Sequence, residues 1–276
     1  MDIGQHQAAD LTTYRNSAQE QNRIGDLLGL IPEPVHSALD IGARDGYISR
    51  ALTTRCELVT ALDLEKPKIV HDRVRCVQGN AAQLAFQNGE FDLVLCAEVL
   101  EHLPEPVLNA AARELQRVTS RCLLVGVPFE QDTRLDRTTC YTCGQLNPPW
   151  SHVGVFDANR LRRLFPEMEV VATSLVGSHK QRTNKLSALL MTKAGNPYGT
   201  YSQEEPCIQC GAKLKPPPAR NLPQKVATKI AVKLNQLQAK MQAPRPIWIH
   251  MLFRKKVATH YVGQSAELST STIEAA

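Results

Sequence analysis

The sequence predicts an α/β fold on a doubly wound, largely parallel sheet. Three observations carry this: a strand, glycine turn and helix unit at residues 37–52, a second apolar strand ending at Asp63, and further short apolar strands separated by helical patterns. The first unit reads S-A-L-D-I-G-A-R-D-G-Y-I-S-R-A-L. Ala38, Leu39 and Ile41 give a buried strand, Gly42 and Gly46 a tight turn, and residues 47–52 a helix opening. Such units hold nucleotide-like ligands at the carboxyl end of a sheet, because glycine admits close backbone approach and the helix start offers free N–H groups.

The type of ligand follows from what is missing. A G-x-G-x-x-G pyrophosphate fingerprint would need glycines where Arg44 and Tyr47 stand, which moves dinucleotides down the order. Asp63 lies 23 residues after Asp40, the spacing at which an acidic side chain meets a ribose diol. A ribose without a pyrophosphate fits. S-adenosylmethionine is such a ligand, and its sulfonium and ammonium groups suit a pocket rimmed by Asp40 and Asp63.

At these residues the chain resembles the class I S-adenosylmethionine-dependent methyltransferases. L-D-I-G-A-R-D-G from Leu39 resembles their glycine motif, and L-D-L from Leu62 their acidic second-strand end. F-D-L-V-L-C-A-E-V-L-E-H-L from Phe91 resembles their fourth strand and its loop. The resemblance runs over residues 39–128 and resumes near His152. It implies a seven-stranded Rossmann-like sheet, strands 3-2-1-4-5 parallel and 7 antiparallel near 6. It also implies cofactor contacts at Asp40, Gly42, Ala43, Gly46, Asp63, Leu64, Asn80, Ala81, Ala97 and Glu98. Arg44 stands where the family usually has glycine.

Read in order, residues 1–36 form an N-terminal segment, polar and loose to about 15, with a helix at 17–30 whose Ile24, Leu27 and Leu28 share a face. Residues 37–176 are the cofactor-binding core. Its strands are expected at 38–41, 58–64, 74–78, 91–97, 122–127 and 169–176, with helices at 105–119 and 157–165, the latter capped by Asp157. Only nine residues separate the second and third strands, too few for a full crossover helix. Residues 177–246 are a basic insertion, 247–256 the last core strand, and 257–276 a tail whose composition predicts disorder.

Hydrophobic content of 43% and 21% charged residues are ordinary globular values, which exclude a fibre or wholesale disorder. No basic start with an apolar run and no stretch near the ~20 apolar residues of a membrane span occurs, so a cytoplasmic protein is expected. Charge is local. Residues 206–266 hold eleven Lys and Arg and no acid, so with +5 for the chain the remainder carries −6. In the helix expected at 223–242, Val226, Ile230, Leu234, Leu237 and Met241 form one stripe and Lys225, Lys229, Lys233 and Lys240 another. A solvated face, a membrane surface and a phosphate-bearing partner are the alternatives.

The motif C-x-x-C-G occurs twice, at Cys140, Cys143, Gly144 and at Cys207, Cys210, Gly211. Two intervening residues let both thiolates of a turn face one tetrahedral metal, so two such knuckles make a structural zinc set. Disulfides, disfavoured in the cytoplasm, and redox chemistry are the alternatives. The loops after the fifth and sixth strands leave from the same sheet edge, so zinc would staple the two insertions into one cap. Some of the family carry similar paired knuckles, with the metal structural. Cys56, Cys76, Cys96 and Cys122 read as small buried hydrophobes.

Methyl transfer from a sulfonium needs orientation, plus a base where the acceptor holds a proton. His152 and His102 are the candidate bases, with Glu98 and Glu101 bordering the same place. His179 is a weaker candidate, and His250, within a strand, reads as core. The family's N-P-P-Y/F tetrapeptide for base nitrogens is replaced by Ala97, Glu98, Val99 and Leu100, which favours an oxygen or amine of a small molecule or a glycan or lipid-linked precursor. A nucleic-acid methyltransferase using the basic insertion, and a non-catalytic cofactor-binding module, are the rival readings.

Overall fold

The computed structural model describes residues 12–256, so the expected tail at 257–276 lies outside the described residues. Of the segment expected to be loose to about residue 15, residues 1–11 also lie outside the described residues, while its end forms a helical turn, α1 (Thr12–Arg15). Helix α2 (Ala18–Gly29) opens on Ser17, whose hydroxyl accepts the Glu20 N–H. Strand β1 (Val35–Ile41), helix α3 (Tyr47–Leu52), strand β2 (Cys56–Asp63) and strand β3 (Val74–Gln78) follow. No helix forms between β2 and β3.

Strand β4 (Phe91–Ala97), helix α4 (Glu105–Val118) and strand β5 (Thr119–Pro128) complete the parallel half. The chain then forms a small hairpin of β6 (Thr138–Thr139) and β7 (Leu146–Asn147), helix α5 (Ala158–Leu164) and strand β8 (Met168–Val176). Helix α6 (Lys185–Lys193) and helix α7 (Leu222–Met241) precede the last strand, β9 (Trp248–Lys255).

The sheet order is β3-β2-β1-β4-β5-β9-β8, with β9 antiparallel to both neighbours. This is the order expected, and it explains the near-continuous apolar strands. On β4, Leu93 and Leu95 face α2 and α3 through Leu27 and Leu52, while Val94 and Cys96 join a second cluster with Leu108 and Leu115 of α4 and Leu161 of α5. With both faces covered, alternation has no physical basis. On α4, Leu108, Ala111, Ala112 and Leu115 fall at i, i+3, i+4 and i+7 and are all buried.

Of the single cysteines, Cys56, Cys96 and Cys122 are buried as expected, whereas Cys76 on the edge strand β3 is only partly so. His250 is buried as expected, yet it is also paired, its Nδ1 lying 2.6 Å from Asp26 Oδ2.

Helix α7 departs from the amphipathic rule. Its Asn221 cap and Gln224 form a capping box, and it packs on α6, but the residues it buries are Thr228 and Ala231. Val226, Ile230, Leu237 and Met241 are each at least 46% exposed, on the same outward half as Lys225, Lys229, Lys233 and Lys240. α6 likewise buries Ser187 and exposes Leu186 and Leu189. The buried side chains of the pair are small, which lets the two helices approach closely and leaves the large apolar groups outside.

Candidate active site

The glycine turn between β1 and α3 is required twice over. Gly42 and Gly46 have φ of +78° and +73°, and a Cβ would lie 2.4 Å from Val99 Cγ2 at Gly42 and 2.3 Å from Ile69 Cγ1 at Gly46. Gly42 and Ala43 both donate their N–H to the Leu62 carbonyl. The Asp63 carboxylate accepts from the N–H groups of Arg44 (2.8 Å) and Leu64 (2.7 Å). Asp40 lies beneath the turn and accepts from the Ser49 hydroxyl at 2.5 Å. Burial pushes its carboxyl up to about 7, with Ser49 opposing and Asp63 adding to the rise. Past β3, Gly79 donates to the Asp63 carbonyl and Asn80 accepts the Ala82 N–H, so Asn80 and Ala81 stand at the same edge. The Arg44 guanidinium faces Glu204 in the cap at 3.4 Å.

The N-terminal helices close one side. Arg15 bridges Asp45 of the glycine turn and Glu20, and Gln21 donates to the Tyr47 hydroxyl. Behind them, Glu20 and Arg23 form a fully buried ion pair with bonds of 2.7 and 2.8 Å. The Arg23 guanidinium lies over the Trp248 ring, whose Nε1 donates to Glu98 at 3.2 Å. Burial raises the Glu98 carboxyl, against Arg23, which lowers it. Nothing local in the sequence marked this network, since it joins residues 20, 23, 98 and 248.

Val99, the residue packed on Gly42, begins the turn that carries Glu101 and His102. Glu98 itself has a left-handed φ of +57°, a strained position at the end of β4. Glu101 is 0% exposed, and neither carboxylate oxygen has a hydrogen-bond partner among the described residues. Its carboxyl is raised well above the ordinary range, by burial first and then by Glu98. Its carbonyl accepts the Gly154 N–H, which ties the 152–154 segment to this turn.

The two sequence-predicted histidines meet here, their rings edge to face at 4.6 Å. Burial lowers His102 to about 4, helped by Arg44, and His152 to about 3, helped by His102. Both imidazoles are therefore neutral at physiological pH. Gln131 Oε1 lies 2.6 Å from His152 Nδ1, which makes Nδ1 the protonated nitrogen and leaves Nε2 with its lone pair. Gln131 was not foreseen. His179 pairs through its backbone with Arg245 and does not join the cluster.

The four knuckle cysteines converge, with all Sγ atoms within 4.8 Å of one another and Cys140–Cys210 and Cys143–Cys207 at 3.7 Å. A tetrahedron with Zn–S near 2.3 Å has edges of about 3.8 Å, so the donors fit a zinc ion, and all four thiols are free of disulfides. Gly144 and Gly211 take φ of +76° and +70°, closing each knuckle with an N–H to the Cys140 and Cys207 carbonyls. Backbone N–H groups of Cys143 and Thr142 aim at Cys140 and hold its thiol down to about 6, against its burial. Apart from both centres, a cavity of about 250 Å³ lies within the cap, between α6, α7 and residues 134–137.

Residues 39–121 match a family model described as a methyltransferase domain. Over 123 residues the chain is 27% identical to a ubiquinone biosynthesis O-methyltransferase of Paracidovorax citrulli, covering 39% of this chain and 52% of that protein. Over 93 residues it is 36% identical to the enzyme of the same name from Xanthomonas oryzae, covering 28% and 38%. The chain thus spans about half or less of the length of these curated relatives. Among solved structures it resembles the Burkholderia thailandensis 1,6-didemethyltoxoflavin-N1-methyltransferase with bound 1,6-didemethyltoxoflavin and S-adenosylhomocysteine. That likeness has TM-score 0.50 at 16% identity, covers 89% of this chain and 81% of that one, and is a likeness of fold.

Proposed function

We propose that this chain, a class I S-adenosylmethionine-dependent methyltransferase in its fold and matched domain, methylates an oxygen or nitrogen of a small-molecule, glycan or lipid-linked acceptor, a hydroxyl oxygen being favoured. The observation that carries this is the packing of Val99 on Gly42. It holds the turn bearing Glu98, Glu101 and His102 against the glycine turn, at the edge where a methyl donor would lie. The partial relatives named as O-methyltransferases support the oxygen.

In this reading Gly42, Ala43 and Gly46 admit the cofactor backbone to backbone, Asp63 takes the ribose diol and Asp40 the ammonium group. Asn80 and Ala81 flank the adenine, and Ala97 and Glu98 the methionine part. His152 or His102 accepts the acceptor's proton. The four cysteines hold a structural zinc that ties 129–157 to 177–246 as a cap, an arrangement suited to a reducing cytoplasm. The outward half of α7, apolar and basic without an acid, suits an anionic membrane surface and hence a lipid-linked acceptor. No helix of the described residues is long and apolar enough to cross a membrane.

The test is incubation of purified protein with methyl-labelled S-adenosylmethionine and cell extracts, with mass-spectrometric identification of labelled products. Labelled small molecules or lipids that vanish without the protein are expected. Failure to bind S-adenosylmethionine or S-adenosylhomocysteine by calorimetry would overturn the reading.

A further inference from the structure

We propose that the cavity in the cap, between α6, α7 and residues 134–137, binds a small organic oxyanion, a carboxylate or phosphate ester with an apolar body. It measures about 250 Å³, just below the ~300–1,000 Å³ of drug-sized ligand sites, so its occupant is small. No residue of the glycine turn or of the turn after β4 lines it. The site is therefore separate from the place of methyl transfer and stands whether or not the function proposed above does.

The walls define the body of the ligand. Ala188 and Met191 of α6, Val232 and Ala239 of α7, and Leu135 present apolar surface, and Tyr198 adds a ring. The two helices bury small residues, Ser187, Thr228 and Ala231, and the short side chains of Ala188 and Ala239 leave space beside them.

The arginines define its charge. Arg134 is already matched, its Nε and one amino group each 2.8 Å from Asp132. Arg182 donates to Gln242 Oε1 at 2.7 Å and to the carbonyls of Gln181 and Ala243, neutral oxygens that fix the guanidinium without cancelling its charge. Arg137 donates its Nε to the Thr133 carbonyl at 3.3 Å, and among the described residues neither Arg137 nor Arg182 forms an ion pair. Burial depresses the Arg182 guanidinium and Arg245 depresses it further, against Asp132, as expected where positive charge gathers without a counter-ion. Asp136 is the one acid in the wall; it pairs with neither arginine, and burial raises its carboxyl towards the neutral form. A planar guanidinium offers paired N–H donors that match two oxygens of a carboxylate or phosphate. Asn235 completes the set, since its Oδ1 is buried without a partner among the described residues and would accept from a ligand hydroxyl.

The probes are para-hydroxyphenylacetate, which joins anion, apolar ring and hydroxyl, and phenyl phosphate. The amide of the first lacks the charge, and acetate lacks the body. Each is titrated to about 10 mM, enough to populate a millimolar site, into the isotope-labelled full chain followed by amide chemical shifts. Both aromatic anions should shift residues 134–137, 188–199 and 232–239 saturably, and the amide and acetate should bind at least tenfold more weakly. Arg137→Gln should weaken both anions at least tenfold with the melting temperature near wild type. Ala239→Phe, which fills the space with a ring, should block binding by bulk alone, a readout independent of charge. No saturable shift with either aromatic anion, shifts confined to the glycine turn and the turn after β4, equal binding of the amide, or undiminished binding in folded Ala239→Phe would each overturn the site.

Discussion

The Asp63 carboxylate holds the backbone of Arg44 in place: Oδ2 accepts the Arg44 N–H at 2.8 Å while Oδ1 accepts that of Leu64 at 2.7 Å. Arg44 needs the support, because its φ of +43° is one that a side-chain-bearing residue adopts at a penalty. The arginine at a position where glycine is usual is thus accommodated by an acid on the neighbouring strand, and its side chain turns outward to the cap at Glu204. Each Asp63 oxygen accepts only one of these bonds and keeps a second lone pair.

The first prediction follows from that geometry. In the proposed reading Asp63 takes the ribose diol, and Asp63→Ala would then remove two charge-assisted hydrogen bonds, each worth about 1.5–3 kcal/mol. S-adenosylhomocysteine affinity by calorimetry should fall at least tenfold. The freed N–H groups of Arg44 and Leu64 are exposed and can bond water, so the loss of support for the strained Arg44 turn should lower the melting temperature only modestly, beside the larger loss of affinity. An unchanged dissociation constant would remove Asp63 from the site.

Asp40 gives a pH-dependent prediction. Its folded pKa of about 7 lies above the ordinary carboxylate value, so the fold favours the neutral acid. The corresponding stability is complete below about pH 4 and is lost as pH rises towards 7, at up to about 1.4 kcal/mol per pH unit. Asp40→Asn, which can still accept from Ser49, should therefore be more stable than wild type at pH 8 and equal to it at pH 4. If Asp40 meets the ammonium group as proposed, the same variant should bind the cofactor more weakly at pH 8, where wild-type Asp40 is ionised. Thermal melts and calorimetry at the two pH values check both halves.

What the sequence made legible was local. The parallel strands announce themselves as apolar runs because both sheet faces are covered, and Asp157 marks its helix because a cap bonds three residues ahead, to Arg160. The cysteine spacing is legible for the same reason, since each knuckle is built within five residues. Contacts across the chain were not. Gln131 meets His152 from 21 residues away, and the Glu20, Arg23, Trp248 and Glu98 network spans the whole core. Helix α6 was missed because its buried face is Ser187 and not an apolar stripe. The outward stripe of α7 breaks the rule that apolar faces turn inward, which no single sequence can reveal before its packing partner is known.

A zinc prediction tests the cap. Metal analysis of protein purified without chelators should give about one zinc per chain at the four cysteines. Cys207→Ser leaves three ligands and weakens a link that closes loops many residues long, so hydrogen exchange should rise across both 129–157 and 177–246. Strands β1 to β5 have their own buried clusters and should stay protected. Exchange rising evenly through the sheet would show that the metal supports the core and not the cap.

The last prediction concerns the outward half of α7. Val226, Ile230, Leu237 and Met241 lie exposed beside Lys225, Lys229, Lys233 and Lys240, and the helix contains no acid. A helix lying in a bilayer interface needs both: apolar groups to enter the headgroup boundary, and cations to meet anionic lipids, each worth about 1 kcal/mol near the surface. The protein should therefore float with vesicles of phosphatidylglycerol and phosphatidylcholine but not with phosphatidylcholine alone, and the binding should weaken as salt rises. Replacing Lys225, Lys229 and Lys233 by Glu reverses three charges without touching the buried Thr228 and Ala231, so the fold should survive and flotation should be abolished. Ile230→Ser with Leu237→Ser should weaken binding while keeping its salt dependence, because it removes only the apolar part. Equal flotation with neutral and anionic vesicles, or none with either, would show that this face is simply solvated.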